Sequence, residues 1–528
     1  MGQTLSRGRY RYEPLEVHDR HIRLLTLYPS CDAVHQSDRI KCSTTQHSLN
    51  WNPSYEALSY SWGDPNDLNP VPIEFNGYNH YIPKNLYAAL EALRHRNGSR
   101  TLWIDALCID QSNAEEKSNQ IGMMGSIYES ASNVVIWLGA ESSDSKLAMS
   151  TIDAFTQGSD FESLTDQQWN ALENLFSRMW FSRIWVIQEF TRGRNPTFLC
   201  GNDSFNWDRT GEALHDFWVK DDGLKEKHIN LLGEVGKVVS MASTRLDFPL
   251  HESLAPPAAA ALFVMLLRIY GDRKAAEHHD KIYGLLGLST SFSFHGCNPP
   301  KIDYTTSIID VYTDWARFLI STQKSLDLLY ISQRMEHDPA LPSWVPDWRT
   351  PRKDLVLTHD VFGDSFEFTG QISRPAEGAT GISFSDDGLR LSVEGYIITT
   401  FDRGFMFFDI EPGFIDSRLK KVDSKELLKA CLMMGCKIKS AIRQPPASFA
   451  KIGIAGGRKQ FRGFRGSTGL VPKDTQYGDI ICMLGQSQRP FVLRPDGEHF
   501  GLIGDGYIDL SGEGSFKRQP VHQMFTIR

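Results

Sequence analysis

Short apolar runs alternate with segments of helical periodicity between about Tyr55 and Gly201. Compact apolar strands separated by amphipathic helices are typical of a parallel sheet that helices cover on both faces. The strand candidates are Ala57 to Ser61 (ALSYS), Leu102 to Ile109 (LWIDALCI), Val134 to Leu138 (VVIWL) and Thr197 to Cys200 (TFLC). The pattern therefore predicts an α/β fold with a parallel, doubly wound sheet in this part of the chain.

Helix signals lie between these strands. Ser112 to Glu115 (SNAE) forms a capping-box pattern, and apolar residues then recur on one helical face. After the third strand, a polar stretch from Glu141 to Gln168 leads into an aromatic-rich segment, where Ser182 is placed to cap a helix that begins near Arg183. Each segment predicts a helix that packs on the sheet.

The rest of the chain divides into regions of different periodicity. We predict an N-terminal arm and leader (1–50), the α/β domain (51–210), a helical region (211–350) and a small β-rich C-terminal unit (351–528). The longest apolar run, Ala258 to Leu267, covers about ten residues, whereas a membrane-spanning helix needs roughly 20. This run predicts a helix of the protein core.

Charge and cysteine content narrow the choice of partners and compartment. A formal net charge of −8 gives no global attraction to nucleic acid. The basic and aromatic strip from Arg458 to Arg465 could contact nucleic acid or phospholipid, but its surroundings are not basic, which favours a solvated hairpin. The eight cysteines have no regular spacing and predict neither a disulfide framework nor a zinc site. We therefore expect a cytoplasmic protein with no nucleic-acid partner.

The first residues, MGQTLSRGRYR, match the myristoylation pattern M-G-x-x-x-[ST] through Gly2 and Ser6. One acyl chain binds membranes only marginally, so Arg7, Arg9 and Arg11 would have to supply a second signal. A disordered basic arm is the alternative, which the shortness of the motif favours. Peripheral membrane association is thus expected only if Gly2 is acylated.

Three sequence blocks resemble a known family. They are YEALSYSWGDP, LWIDALCIDQSNAEEKSNQIGMMGSIYESASNVVIWLG and WFSRIWVIQEF, at Tyr55 to Pro65, Leu102 to Gly139 and Trp180 to Phe190. In composition and order they resemble the signature blocks of the heterokaryon incompatibility (HET) domain of filamentous fungi, a cell-death module of nonself recognition. Later segments, HHDKIYGLLGL, LPSWVPDW and YGDIICMLGQSQRPFVLR, resemble the tails of fungal HET proteins.

The HET domain is in turn distantly similar to TIR domains, which have a flavodoxin-like sheet. LSYSWGD resembles the first TIR box, and Ser182 to Glu189 (SRIWVIQE) resembles the TIR helix in which Trp precedes Glu by four residues. In TIR domains that hydrolyse NAD, this Glu is catalytic. The resemblance therefore implies that Glu189 is catalytic and that NAD is a substrate, with no cofactor. The chain departs from the TIR pattern at Val186, where plant TIR domains commonly have Cys, and in the insertion from Glu141 to Trp180.

The carboxyl edge of the predicted sheet is where a ligand should bind. The first predicted strand ends at Ser61, at this edge of the sheet. The helix that carries Trp185 and Glu189 on one face would begin at the same edge. The predicted substrate-binding residues are Ser61, Trp62, Gly63, Asp64, Arg183 and Trp185. Glu189 could stabilise an oxocarbenium-like transition state alone, because nicotinamide is a good leaving group. The structural alternatives are a salt bridge from Glu189 to Arg183 or Arg192, and core packing for the two tryptophans.

The second block also carries residues that we expect to be structural. Asp105 lies in an apolar run and needs a partner, for which Arg183 is the candidate. Cys108 lacks a histidine base in the signature blocks and is expected to be a small core residue, and Gln111 completes the motif W-I-D-A-x-C-I-x-Q. Adjacent histidines on a helix point in different directions, so His278 and its neighbours predict no metal site.

The resemblance implies two functional alternatives. In the first, the chain is a cell-death effector or regulator of nonself recognition that hydrolyses NAD and releases nicotinamide once self-association assembles the site. In the second, it is a non-catalytic interaction module that triggers cell death by recruiting partners. The sequence names no incompatibility partner for either.

Overall fold

A computed structural model describes residues 10–16, 20–30, 39–63, 69–156, 163–208, 211, 237–238, 240–242, 244–245, 255–289, 297–332, 338–350, 381–409, 458–463, 467–509 and 521–528. The chain forms two compact units. The first comprises Met1–Ser253, Arg273–Phe292 and Lys301–Thr305, and the second comprises Leu254–Asp272, Ser293–Pro300 and Thr306–Arg528.

A nine-stranded sheet forms the centre of the first unit. Its strands are β1 (His21–Leu27), β2 (Lys41–Ser48), β3 (Glu56–Tyr60), β4 (Val71–Phe75), β5 (Tyr78–Ile82), β6 (Arg100–Trp103), β7 (Asn133–Trp137), β8 (Thr197–Cys200) and β9 (Asp203–Asn206). They lie side by side in the order β5-β4-β2-β1-β6-β3-β7-β8-β9.

Parallel pairing is concentrated at the middle of this sheet. Strand β3 pairs in parallel with β6 on one side and β7 on the other, and β7 pairs in parallel with β8. Numbered along the chain, these four strands lie in the order 2-1-3-4. The predicted α/β sheet is therefore confirmed, with parallel pairing among its central strands.

The expectation of a purely parallel sheet is wrong. Strand β1 pairs antiparallel with both β2 and β6, and β4–β5 and β8–β9 are antiparallel hairpins. Residues 21–48, which we had expected to form part of an arm and leader, thus supply two strands of the sheet. Strand β2 reads KCSTTQHS and is largely polar, so its membership depends on pairing with its neighbours rather than on an apolar pattern.

Helices connect and flank the strands. In chain order they are α1 (Lys84–Leu93), α2 (Asp105–Cys108), α3 (Ala114–Ser130), α4 (Ser145–Thr156), α5 (Asp166–Phe176), α6 (Val186–Arg192), α7 (Pro256–Tyr270), α8 (Asp280–Ser289) and α9 (Ile308–Gln323). Helices α7 and α9 lie in the second unit, and the others lie in the first.

The second predicted strand, Leu102 to Ile109, is a strand only at its start. Strand β6 ends at Trp103, and Asp105–Cys108 form the one-turn helix α2. Short buried apolar runs cannot be assigned to strand or helix by periodicity alone, which explains the error. The correction moves Asp105 from the middle of a strand to its carboxyl end.

Helix α6 packs against α3 and α8, which also contact each other. The crossing of α3 and α8 is close: a Cβ added to Gly125 would lie 2.7 Å from the carbonyl oxygen of Gly287. A Cβ on Gly287 would collide with the Gln188 side chain of α6. Glycine at these positions therefore lets three helices meet at the segment that carries Glu189.

The second unit contains the β-rich region predicted at the C-terminus. Its strands are β10 (Ser383–Phe384), β11 (Leu391–Thr400), β12 (Phe405–Asp409), β13 (Arg458–Gly463), β14 (Thr468–Pro472), β15 (Ile480–Leu484), β16 (Phe491–Asp496), β17 (His499–Asp505), β18 (Tyr507–Asp509) and β19 (His522–Ile527). One sheet has the order β10-β11-β15-β16-β17-β19, and an additional β11–β19 pairing closes it into a barrel-like form. A second sheet has the order β12-β13-β14-β18.

The basic strip in this unit differs from the solvated hairpin that we expected. Arg458 is buried and pairs with the buried Asp505, which Arg489 also contacts at 3.2 Å. Phe461 belongs to the hydrophobic core of the unit. Arg458 and Phe461 are three residues apart on β13 and therefore point to opposite faces of the strand, and both are buried. Within the described ranges, no helix combines the length and apolar character needed to cross a membrane.

Candidate functional site

Glu189 lies in the first turn of α6 and is buried beside the carboxyl end of β3, with 4% of its surface exposed. Its carboxylate accepts a hydrogen bond from the Ser59 hydroxyl of β3. The Trp180 indole donates to the same hydroxyl, with 2.7 Å between Nε1 and Oγ. The Glu189 amide donates to the Trp185 carbonyl one helical turn earlier, at 3.4 Å.

The pKa of Glu189 lies well above its usual value. Burial raises this pKa from 4.5 to about 7, and the nearby charge of Asp105 adds to the rise. The positive charge of Arg183 and the hydrogen bond from Ser59 act in the opposite direction. A carboxyl that titrates near neutral pH at a sheet edge is a functional-site candidate.

Asp105 stands next to this group, directly after β6. The Trp62 indole donates to its Oδ2 at 2.9 Å, and the Ala106 amide donates to its Oδ1 at 2.7 Å. Burial raises the pKa of Asp105, while the charge of Arg183 lowers it. Arg183, the partner expected from the third block, acts on Asp105 through its charge, and the side-chain hydrogen bonds come from Trp62 and Tyr60 of the first block. Trp62 remains 44% exposed, so its indole is a solvent-facing aromatic surface tied to a carboxylate.

Arg183 links the two carboxylates electrostatically. Its guanidinium donates to the carbonyl oxygen of Tyr60, and its charge favours the ionised forms of both Asp105 and Glu189. The Tyr60 hydroxyl is buried in the same cluster, where burial and the Asp105 carboxylate raise its pKa. Two carboxylates, one guanidinium and one indole therefore meet at the ends of β3 and β6.

The alternative of a salt bridge from Glu189 to Arg192 does not describe the geometry. Arg192 forms its ion pair with Glu129 of α3. Arg183 influences Glu189 through its charge, and the hydrogen bond that the Glu189 carboxylate accepts comes from Ser59.

Ser61 and Gly63 belong to a neighbouring turn that Asn85 holds. Asn85 of α1 donates to the Ser61 carbonyl at 2.6 Å, and its Oδ1 accepts from the Trp137 indole at 3.0 Å. Gly63 has a φ of 92°, which favours glycine. Asn85 thereby joins the ends of β3 and β7, a role that sequence reasoning missed. The one sequence feature that could have indicated this role is the position of Asn85 in the first turn of a helix that follows a proline. Asp64 lies outside the described residues.

Trp185 is turned toward a later segment of the first unit. Its indole hydrogen-bonds to Asp280 at the start of α8, and the Tyr304 hydroxyl donates to Asp280 at 2.7 Å. Burial raises the pKa of Asp280. The structure therefore gives Trp185 a partner in the HHDKIYG segment, where it fixes the start of α6.

Cys108 and Gln111 stabilise the turn that carries Asp105. The Cys108 thiol accepts from the Ile104 amide at 3.4 Å, and burial raises its pKa to about 12, so it is neutral near pH 7. Gln111 donates to the Asp105 carbonyl at 3.0 Å.

In the part of the chain that the structure describes, no group of three or more His, Cys, Asp or Glu residues is arranged to hold a metal ion.

A buried ion pair between Arg23 and Glu116 stabilises the turn that carries Asp105. Sequence reasoning did not predict this ion pair. Arg23 of β1 bonds both oxygens of Glu116, at 2.5 and 3.0 Å, and donates to the Cys108 carbonyl at 3.0 Å. The Glu116 carboxylate also accepts from the Asp110 amide at 2.7 Å. The signal available was an arginine within the apolar run HIRLLTL.

The fold and site define an α/β protein in which two neighbouring carboxylates, Glu189 and Asp105, lie at the carboxyl edge of the parallel strands at the centre of the sheet. Residues 55–189 match the family described as "Heterokaryon incompatibility protein (HET)", so this chain carries a HET domain, and the resemblance of its sequence blocks is confirmed. The chain is 29% identical over 426 residues to "Heterokaryon incompatibility protein 6, OR allele" of Neurospora crassa, covering 65% of this chain. It spans 60% of that relative's length. No solved structure matches the chain.

Proposed function

We propose that this protein acts in heterokaryon incompatibility, as an effector or regulator of nonself recognition that leads to cell death. The HET match over residues 55–189 and the name of the Neurospora crassa relative support this role.

We further propose that the HET domain hydrolyses NAD at the cluster around Glu189. The observation that carries this proposal is a buried carboxyl with a pKa of about 7, beside a second carboxylate and an exposed tryptophan. The flavodoxin-like order of the central strands and the similarity of Ser182 to Glu189 to the TIR helix also support it.

The reaction requires little more than charge stabilisation. The bond between ribose C1′ and the pyridinium nitrogen breaks, and nicotinamide leaves with the bonding electron pair as a neutral molecule. The positive charge that develops on the ribose is stabilised by the Glu189 carboxylate. Water then adds to C1′ and loses a proton, which gives ADP-ribose, nicotinamide and H⁺. Only the ionised form of Glu189 serves this step, so activity should rise as pH increases through about 7.

Only 4% of the Glu189 surface is exposed, so the site must open before a substrate can bind. A substrate must reach its carboxylate, so we propose that the single chain is a resting form and that self-association opens the site. The same burial favours the second candidate, a non-catalytic interaction module, because a closed carboxylate held by an internal donor can be structural.

Membrane attachment is a further part of the proposal. Gly2 lies outside the described residues, but the chain from Tyr10 onward is held on the first unit. The Tyr10 ring packs on Phe75, with centroids 4.9 Å apart, and the Tyr12 hydroxyl donates to the Leu107 carbonyl at 3.3 Å. An acyl chain on Gly2 would therefore hold this unit within about 28 Å of a bilayer.

The deciding experiment follows NAD and nicotinamide by chromatography, using the purified full chain over a range of concentrations. Glu189→Gln is compared with Glu115→Gln, which alters an exposed carboxylate of the same domain. We expect turnover to increase with concentration, to be lost in Glu189→Gln and to be retained in the control. If Glu189→Gln keeps full toxicity in a fungal host while cellular NAD is unchanged, the interaction-module alternative is correct.

A further inference from the structure

Ser59 stands in the middle of a hydrogen-bond chain that ends on Glu189. Trp180 donates from Nε1 to Ser59 Oγ at 2.7 Å, and Ser59 Oγ donates to Glu189 Oε2. An indole N–H can only donate, and a serine hydroxyl has one proton. The ionised Glu189 carboxylate can only accept, so the one hydroxyl proton of Ser59 points to Glu189 while the Ser59 oxygen accepts from Trp180.

Ser59 cannot act as a nucleophile in this position. A serine bonded to a carboxylate resembles a nucleophile and its base, but a nucleophile must reach the substrate. Ser59 is 0% exposed, and its hydroxyl is already bonded to both Trp180 and Glu189. Its contribution must therefore act through Glu189.

We propose that Ser59 and Trp180 are positioning residues that hold Glu189 Oε2 and keep the carboxylate ionised, leaving Oε1 to face the reacting centre. This inference rests on the proposed NAD chemistry for its role in turnover. The hydrogen-bond chain itself can be tested without any substrate.

The charge balance around Glu189 explains why such a donor matters. Burial is the largest influence on its pKa and disfavours the ionised form, and Asp105 of α2 does the same. Arg183, which precedes α6, favours the ionised form. Tyr60 of β3 and Tyr128 of α3 also face the cluster, and burial raises the pKa of both, so they remain neutral. Arg183 and the Ser59 hydroxyl are therefore the two groups that support the charge.

Removing the Ser59 hydroxyl should raise the pKa of Glu189 further. A hydrogen bond to a charged group corresponds to a pKa difference of about 1 or more. We expect Ser59→Ala to move the pKa of Glu189 from about 7 to about 8. Trp180→Phe leaves the hydroxyl in place but frees it to turn away, so a smaller rise is expected.

The test titrates the full chain by infrared difference spectroscopy. The carboxyl band that disappears in Glu189→Gln reports this residue. Ser59→Ala and Trp180→Phe are compared with Ser150→Ala, which removes an exposed hydroxyl of α4. We expect the midpoint to rise in the first two variants and to stay constant in the control. Ser59→Ala removes one oxygen atom and leaves little cavity, so it decides the question if Trp180→Phe fails to fold.

Turnover provides the second readout. With a midpoint near 8, the ionised fraction of Glu189 at pH 6.5 falls about eightfold, so kcat in Ser59→Ala should fall by that factor and recover near pH 9. A loss that is equal at all pH values would overturn the positioning role, and so would an unchanged infrared midpoint in folded Ser59→Ala. A raised midpoint in a protein that never consumes NAD would keep the hydrogen-bond chain and reject the proposed reaction.

Discussion

The buried charge of Glu189 should cost the fold stability, so Glu189→Gln is expected to stabilise the first unit above neutral pH. Gln has nearly the same shape as Glu, and its side-chain carbonyl can still accept the hydrogen from Ser59. The substitution removes the burial of a carboxylate, which is the largest unfavourable influence on this group. A residue whose replacement stabilises the fold is one that the fold does not require for structure.

The magnitude follows from the two pKa values of Glu189. In the folded chain the pKa is about 7, against 4.5 when unfolded. Between these pH values the folded chain holds a proton that the unfolded chain has released, so stability is fully present below 4.5 and falls as pH rises through 7. The rise from 4.5 to about 7 corresponds to about 3 kcal/mol at most. The Gln variant has no such titration, so its advantage should be near zero at pH 4.5 and largest at pH 8.

Urea denaturation at pH 4.5, 6 and 8, followed by tryptophan fluorescence, measures this difference. Comparing each variant with the wild type at the same pH cancels the titration of groups that Glu189 does not influence, and Glu115→Gln serves as the control. A structural carboxylate that depends on Arg183 would give the opposite result. If Glu189→Gln is less stable than the wild type at pH 8, or if the difference does not change with pH, the reasoning fails.

Three further predictions concern the support of the site and the N-terminus. Arg23→Met should reduce the free energy of unfolding by about 3–5 kcal/mol in urea, because it leaves a buried carboxylate unpaired, and adding Glu116→Met should restore part of the loss. A single variant as stable as the wild type would contradict this. Gly125→Ala should cost about 1–3 kcal/mol through its clash with the Gly287 carbonyl, measured as a lower Tm, and an unchanged Tm would exclude the close crossing. Mass spectrometry of the protein from a fungal host decides between the acylated and the basic arm: a myristoyl group on Gly2 is required for the proposed membrane anchor, and an unmodified Gly2 removes it.

Apolar patterning predicted the centre of the first unit well. Strands β3, β7 and β8 lie within one residue of the predicted runs, since short buried parallel strands have continuous apolar sequences. Strand β2 could not be found in this way. Its polar sequence carries no two-residue alternation, and its place in the sheet is decided by antiparallel pairing with β1.

The site was predictable in its residues more than in its contacts. Glu189, Asp105 and Arg183 were named from the sequence blocks, and the structure brings them together. Their hydrogen-bond partners depend on side chains far apart in the chain, such as Ser59 with Trp180, which no local pattern connects. Asn85 lies outside all three blocks, and its role arises only when the ends of β3 and β7 meet.

Comparison of the buried carboxylates in this one protein separates structure from function. Asp505 lies between two arginines that lower its pKa, as expected of a group that stabilises the fold. Glu116 has both oxygens bonded to Arg23. Glu189 and Asp105 lie near a guanidinium as well, yet burial raises the pKa of each. Among the described residues, Asp280 is also buried with a raised pKa and accepts hydrogen bonds from Tyr304 and Trp185, whereas Glu189 and Asp105 lie together at the edge of the central sheet, where burial opposes the ionised form of both. This cost is more easily explained by chemistry that needs a reactive carboxylate than by a structural role.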